Sequence, residues 1–249
     1  MTEEELLRRA EDLALRASRR GELTHSTFLT PAECALLSRR RPAADCVMLL
    51  HGGISGAERR AAFFLPDWMD AEAFKPQEHL CAIELTARFG EPRHRDYLGA
   101  ALGLGVGREW LGDILIEKNV AHLICLPSVK EHLLLNLDKV GRWGVKAREV
   151  TLAAVPVPEK QLREVTFSVK SPRLDAVCAG MFGLSRSAAA EAIAQGLVTK
   201  NYVPCQKPDA PIAPGDILSL RGKGKGEVAE VGDALTRKGR VFVRAGVYV

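Results

Sequence analysis

Seven cations in the last third of the chain carry the clearest chemical signal: Arg173, Arg186, Lys200, Lys207, Arg221, Lys223 and Lys225. The chemistry they suit is the binding of phosphate. Arg173 and Arg186 each stand where a helix is expected to begin. The first backbone amides of a helix lack intrahelical partners, and the helix dipole favours an anion there. Guanidinium groups beside such amides make a surface for phosphate oxygens. Gly222, Gly224 and Gly226 separate the last three cations, so a flexible basic segment is expected there.

Other residues carry chemistry-like letters with weaker support. Gly103-Leu104-Gly105-Val106-Gly107 resembles a nucleotide loop, but it follows a helix, whereas the dinucleotide fingerprint follows a strand. His94-Arg95-Asp96 has no nucleophile placed beside it and reads as a helix start. The cysteines, Cys34, Cys46, Cys81, Cys125, Cys178 and Cys205, are widely spaced, without a C-x-x-C pair or zinc-type Cys/His spacing. They are expected to be free thiols in a reducing compartment. No catalytic residue, no metal site and no cofactor is expected.

The chain has 249 residues, of which 47% are hydrophobic, enough to bury a substantial core. Its net charge of +4 is unevenly spread. Residues 1–78 hold 11 basic and 13 acidic side chains, whereas residues 165–249 hold 12 and 7. A basic C-terminal third points to a polyanionic partner there. The first twenty residues alternate charge with Leu and Ala, unlike a signal peptide, and no apolar run is long enough to span a membrane. A cytoplasmic monomer is expected.

These residues need elements to hold them. The pattern predicts an α+β fold with three domains. Residues 1–76 form a small α+β domain, with a helix over 2–20, a second helix opening at Thr30-Pro31, and strands near 46–50 and 61–65. Thr2 with Glu5 fits a capping box. Residues 77–154 read β-α-β-β-α-β, the order of a ferredoxin-like or RRM-like fold, with Ser128 expected to cap its second helix. Residues 155–164 are the expected linker. Residues 165–249 begin with a helix opening at Ser171-Pro172 and a second capped by Ser185. They end in an added hairpin, Val228–Leu235 and Arg240–Val247, around the turn 236–239.

Residues 172–225 resemble the alpha-L RNA-binding domain named for the small-subunit ribosomal protein S-four. The matching letters are Arg173-Leu174-Asp175, Gly183-Leu184-Ser185-Arg186-Ser187, Gly196-Leu197-Val198-Thr199, Asn201, Lys207, Pro214-Gly215-Asp216 and Ser219-x-Arg221-Gly222. Lys200 and Tyr202 depart from that pattern, where valine and glycine are usual. Tyrosine accepts a positive φ less readily than glycine, so a different turn type is expected in the hairpin. The middle segment resembles the bacterial YlmH family. The letters are His94-Arg95-Asp96-Tyr97-Leu98-Gly99-Ala100, Gly103-Leu104-Gly105, Arg108-x-x-x-Gly112-Asp113-Ile114-Leu115 and Lys139-Val140-Gly141-Arg142.

The resemblance implies an RNA-binding protein that acts on rRNA or tRNA of the large ribosomal subunit, in quality control of stalled nascent chains. Its RNA contacts would be Arg173, Ser185, Arg186, Ser187, Lys200, Asn201, Lys207, Arg221, Lys223 and Lys225. Arg93, His94, Arg95, Lys139 and Arg142 are secondary candidates. A non-enzymatic role is expected. The alternative is an RNA-modifying enzyme of the pseudouridine synthase or methyltransferase type, for which only about 25 residues follow the motif.

Overall fold

The computed structural model describes residues 2–157, 161–235 and 239–248. The chain divides into two compact units, Met1–Pro158 and Glu159–Val249.

The first unit contains two sheets. The N-terminal one is built from α1 (Glu3–Arg20), β1 (Thr24–Leu29), α2 (Pro31–Arg39), β2 (Val47–His51) and β3 (Arg60–Leu65), with strand order β1-β3-β2. Both helices open on a capping box, Thr2 with Glu5 and Thr30 with Glu33, which satisfies otherwise orphaned amides. The helices pack on one sheet face through Leu6, Ala10, Ala14 and Leu37 against Leu29, Ala62 and Phe64. β1 has no counterpart in the sequence reading. Its buried positions include Thr24 and Ser26, polar residues that hide the alternation. Thr24 Oγ1 donates to Leu13 O at 2.8 Å, and Ser26 Oγ accepts from Ala62 N at 2.9 Å.

The second sheet comprises β4 (Cys81–Ala87), α3 (His94–Gly103), β5 (Leu111–Glu117), β6 (Val120–Cys125), α4 (Pro127–Asn136), β7 (Lys139–Val140) and β8 (Trp143–Val150). Its order, β5-β6-β4-β8-β7, has the RRM-like connectivity with one short added strand. α3 and α4 cover one face, over Ile83, Leu85, Tyr97, Leu123 and Leu133. Ser128 lies inside α4 rather than capping it; the N-cap is Leu126, and Pro127 opens the helix.

The line drawn at residues 76 and 77 separates two sheets, not two cores. Leu80, Ala82 and Ile124 of the second sheet share one cluster with Phe28, Phe63 and Leu65 of the first. The half-buried Arg59, next to β3, reaches across to the second sheet, and the half-buried Arg108 braces the start of β5. Arg59 donates from Nε to Leu111 O at 3.1 Å, and Arg108 donates to Leu111 O and Gly112 O at 2.6 and 2.9 Å. Burial lowers the Arg108 pKa to about 10. Asp113 accepts the backbone amides of Glu58 and Arg59. At Gly112 a side chain would meet the ring of Phe28 at 2.8 Å.

The second unit contains β9 (Leu162–Val169), α5 (Leu174–Phe182), α6 (Arg186–Ala194), β10 (Val198–Lys200), β11 (Val203–Pro204), β12 (Ile217–Leu220), β13 (Gly224–Leu235) and β14 (Val241–Tyr248). Six strands run in the order β11-β10-β12-β13-β14-β9. Leu174, Val177, Cys178, Met181 and Ile193 of the helices bury against Val198, Leu218, Val228 and Val243 of the sheet. β13 and β14 are the expected hairpin; three residues of its turn, 236–238, lie outside the described residues. The expected linker is shorter than 155–164. Val155 is buried, and Leu162 already begins β9, whereas 158–160 lie outside the described residues.

All six cysteines are free thiols. Among the described residues no helix is long and apolar enough to cross a membrane, and no acidic, His or Cys group is arranged to hold a metal ion.

Candidate nucleic-acid interface

Two buried carboxylates organise the cations of the second unit. Asp175, 5% exposed, sits in the first turn of α5. Its Oδ2 accepts from Arg186 Nε at 2.9 Å, and its Oδ1 from Arg173 Nε at 3.3 Å and from Ala176 N at 2.9 Å. Both arginines therefore bond through Nε. Their side chains remain 40% and 54% exposed. A guanidinium oriented in this way presents a fork to a phosphate.

The second carboxylate, Asp216, is 9% exposed. It accepts from Asn201 Nδ2 at 2.7 Å, from Ala213 N at 2.8 Å and pairs with Lys200 Nζ at 2.9 Å. Burial pushes its pKa up, but these donors outweigh burial and hold it below the usual carboxylate value. Asn201 Oδ1 also accepts from Ile217 N at 2.8 Å, and Lys200 Nζ donates to Pro211 O at 2.6 Å. Lys200 and Asn201 thus hold the hairpin to the 211–216 segment with their polar groups.

Local sequence explains the frame. Asp216 N donates to Ala213 O at 3.1 Å, with Pro214 and Gly215 between them. Gly215 has φ +84°, so this is the type II turn that a Pro-Gly pair favours. Lys200 pairs directly with Val203, leaving Asn201 and Tyr202 as a two-residue loop with φ +51° and +66°. Positive φ at both positions is the type I′ signature, so the turn type expected to change does not. Asn201 tolerates the left-handed region, and its side-chain bonds hold it there. Tyr202 adopts it as well; its ring lies 5.7 Å from Lys225 Nζ.

The start of α5 differs from expectation. The helix begins at Leu174 with Arg173 as N-cap, two residues after Pro172. Its amides are not free: Leu174 N donates to Ala210 O and Asp175 N to Pro208 O, both at 2.9 Å. The loop carrying Lys207 occupies the place expected for phosphate. α6 keeps the expected form. Ser185 caps it by accepting from Ala188 N at 3.1 Å, and Ser187 Oγ lies 3.0 Å from Ser185 Oγ. The amides of Arg186 and Ser187 have no protein partner among the described residues.

Arg173, Arg186, Lys200, Asn201 and Lys207 are therefore joined through Asp175, Pro208, Pro211 and Asp216 into one contiguous patch. Arg221 and Lys223 are exposed at the opposite end of β10 and β12, about 10 Å away along the strands. Lys225 is not in a flexible segment. It pairs with Ser219 in β13, with its ammonium 4.6 Å from the Tyr248 ring centre. Gly226 is fixed by packing, since a side chain there would meet Met181 Sδ at 2.6 Å.

The secondary candidates of the first unit also converge. Arg93, His94 and Arg95 are exposed at the start of α3, where Asp96 accepts from Arg93 N at 2.8 Å. Lys139 is exposed on β7, and Arg142 lies 5.1 Å over the Trp143 ring. Gly90, in the loop before α3, abuts that same indole, and Arg88 N donates to Gly144 O. Phe89 in this loop is 82% exposed, a feature the sequence reading passed over. The sheet face away from α3 and α4 presents Glu84, Thr86, Lys146 and Arg148, with His122 buried beside Glu84, and no Phe, Tyr or Trp among the described residues of its strands. It therefore lacks the base-stacking rings by which RRM sheets bind RNA. Arg148 instead holds Glu84 through two bonds of 2.6 and 2.7 Å.

Residues 71–154 match a family model described as "Putative RNA-binding domain in YlmH", and residues 172–218 match the S4 domain. The chain is 29% identical over 204 residues to the ribosome-associated protein quality control protein P2 of Bacillus subtilis (strain 168). That similarity covers 82% of this chain and 79% of the other. A solved structure, the cell division protein ylmH from Streptococcus pneumoniae, superposes with a TM-score of 0.48 at 19% identity, over 61% of this chain and 88% of that one. The chain therefore carries a domain matching the putative RNA-binding domain in YlmH, followed by an S4 domain in its C-terminal unit.

Proposed function

We propose that this protein is a non-enzymatic factor that docks on structured rRNA or tRNA of the large ribosomal subunit. Its C-terminal unit provides the main contact, and it acts in quality control of stalled nascent chains. The carrying observation is the pair of partly exposed arginines fixed through Nε on Asp175, together with the open start of α6. This is a surface for phosphates held in a fixed geometry, as recognition of structured RNA by its backbone requires. The name of the Bacillus subtilis relative supports the ribosomal setting. The cluster around Trp143 is a second, smaller contact, in which Phe89 and the guanidinium of Arg142 offer flat surfaces to unpaired bases.

The test is sedimentation of the full chain with separated ribosomal subunits, followed by crosslinking and sequencing of the bound RNA. The reading predicts co-sedimentation with the large subunit and crosslinks in its RNA or in tRNA bound to it. Association with the small subunit alone, or with neither, would overturn it.

A further inference from the structure

The S4 match ends at residues 172 and 218, yet β9 and β14 extend the sheet beyond it, and where β9 meets α5 they leave a pocket of about 270 Å3. Phe167, Ala179 and Leu184 form apolar walls, and Lys170, Arg186 and Arg240 also line it. Lys170 and Arg240 are exposed, and Arg186 is one of the two arginines held by Asp175. Phe167 is fixed against the helix, since a side chain at Gly180 would come within 2.3 Å of its ring.

We propose that this pocket receives one unpaired RNA base, stacked against Phe167, with the adjoining phosphates held by Lys170, Arg186 and Arg240. A nucleobase presents apolar faces to such walls while its backbone carries the phosphates to the cations at the rim. Three cations at an apolar cavity match a base carried on a polyanion better than they match an apolar peptide. Arg186 makes the pocket continuous with the patch around Asp175, so one strand can occupy both. The pocket would thereby extend the footprint of the S4 domain with residues outside the domain itself. The inference rests on the reading that the C-terminal unit binds RNA.

The experiment uses the full chain bound to large-subunit RNA. Ultraviolet crosslinking with mass spectrometric mapping should place a nucleotide adduct on Phe167 or on residues 168–170. Ala179→Leu, which fills the pocket, should weaken RNA binding about tenfold, the loss expected for one stacked base. Where Ala179→Leu lowers the unfolding temperature, Lys170→Glu on the surface serves instead, with weakened binding expected. Adducts confined to α6 and the 200–207 segment, or wild-type affinity in the folded variant, would overturn the pocket while leaving RNA binding by this unit intact. Absence of adducts from all of 161–248 would overturn both.

Discussion

Arg186 Nε donates to Asp175 Oδ2 at 2.9 Å across 11 residues of sequence, and this bond fixes the start of α6 to the start of α5. Arg173 occupies the other oxygen of the same carboxylate. Asp175 therefore sets the spacing and direction of both guanidinium groups. In the surrounding motif it is the acid, not either base, that decides the shape of the candidate interface.

Replacing Asp175 separates charge from geometry. Asp175→Ala removes an acid, which by charge alone would strengthen binding to a polyanion. It also releases both arginines and leaves Ala176 N without its side-chain acceptor. The expected outcome is weaker RNA binding together with a loss of about 1–3 kcal/mol of stability in the C-terminal unit. RNA titration and denaturant unfolding of the same variant check the two effects.

Asn201 behaves as a structural residue. Asn201→Ala removes the bonds to Ile217 N and Asp216 and places alanine at φ +51°. Two lost hydrogen bonds and the left-handed backbone together cost about 2–4 kcal/mol. Asn201→Gly, which relieves the backbone but not the bonds, should lose about 1 kcal/mol less. Equal losses in the two variants, measured by urea unfolding, would contradict the positive-φ turn.

Acid should loosen the same hairpin. The carboxyl of Asp216 is held below its ordinary value of 3.8. A depressed carboxylate contributes stability that is present above the unfolded pKa and is lost as pH falls through the folded one. Stability should therefore fall as pH drops below about 4. In Asp216→Asn, part of that fall should disappear and stability at pH 7 should be lower. Unfolding curves at pH 7 and pH 3 for both proteins provide the comparison.

Salt dependence counts the phosphate contacts. About five contacts give a slope of log K against log salt of roughly −3.5 to −4.5. Arg173→Gln with Arg186→Gln should reduce the magnitude of that slope by about 1.4 to 1.8. Lys200→Gln should leave it nearly unchanged, because Lys200 is engaged by Asp216 and Pro211 O.

Much of this architecture was legible in the residues. Thr2 with Glu5, Thr30 with Glu33, and Pro214-Gly215 state local rules whose partners lie within three residues. The RRM-like order followed from alternating strand and helix periods. What escaped depended on distant partners. β1 hides behind Thr24 and Ser26, whose hydroxyls are satisfied by α1 and β3. The amides at the start of α5 looked free because Pro208 and Ala210, which supply their acceptors, are more than thirty residues away. Lys200 and Asn201 read as RNA contacts by type, yet Asp216 and Ile217 already engage their polar groups. Arg108 and Gly112 belong to the family-like letters of the middle segment, yet Gly112 abuts the Phe28 ring of the first sheet and Arg108 braces the start of β5. Nothing in their spacing distinguishes these roles from binding.

The most direct test of the central claim is sedimentation of full-length Arg173→Gln/Arg186→Gln with large ribosomal subunits at fixed salt. Glutamine is the appropriate replacement, because a glutamate beside buried Asp175 would add like-charge repulsion to the loss of the cations. With the unfolding transition of the C-terminal unit within about 1 kcal/mol of wild type, binding is expected to fall at least tenfold. Wild-type association of this folded double variant would contradict the assignment of the Asp175 clamp as the RNA-binding surface.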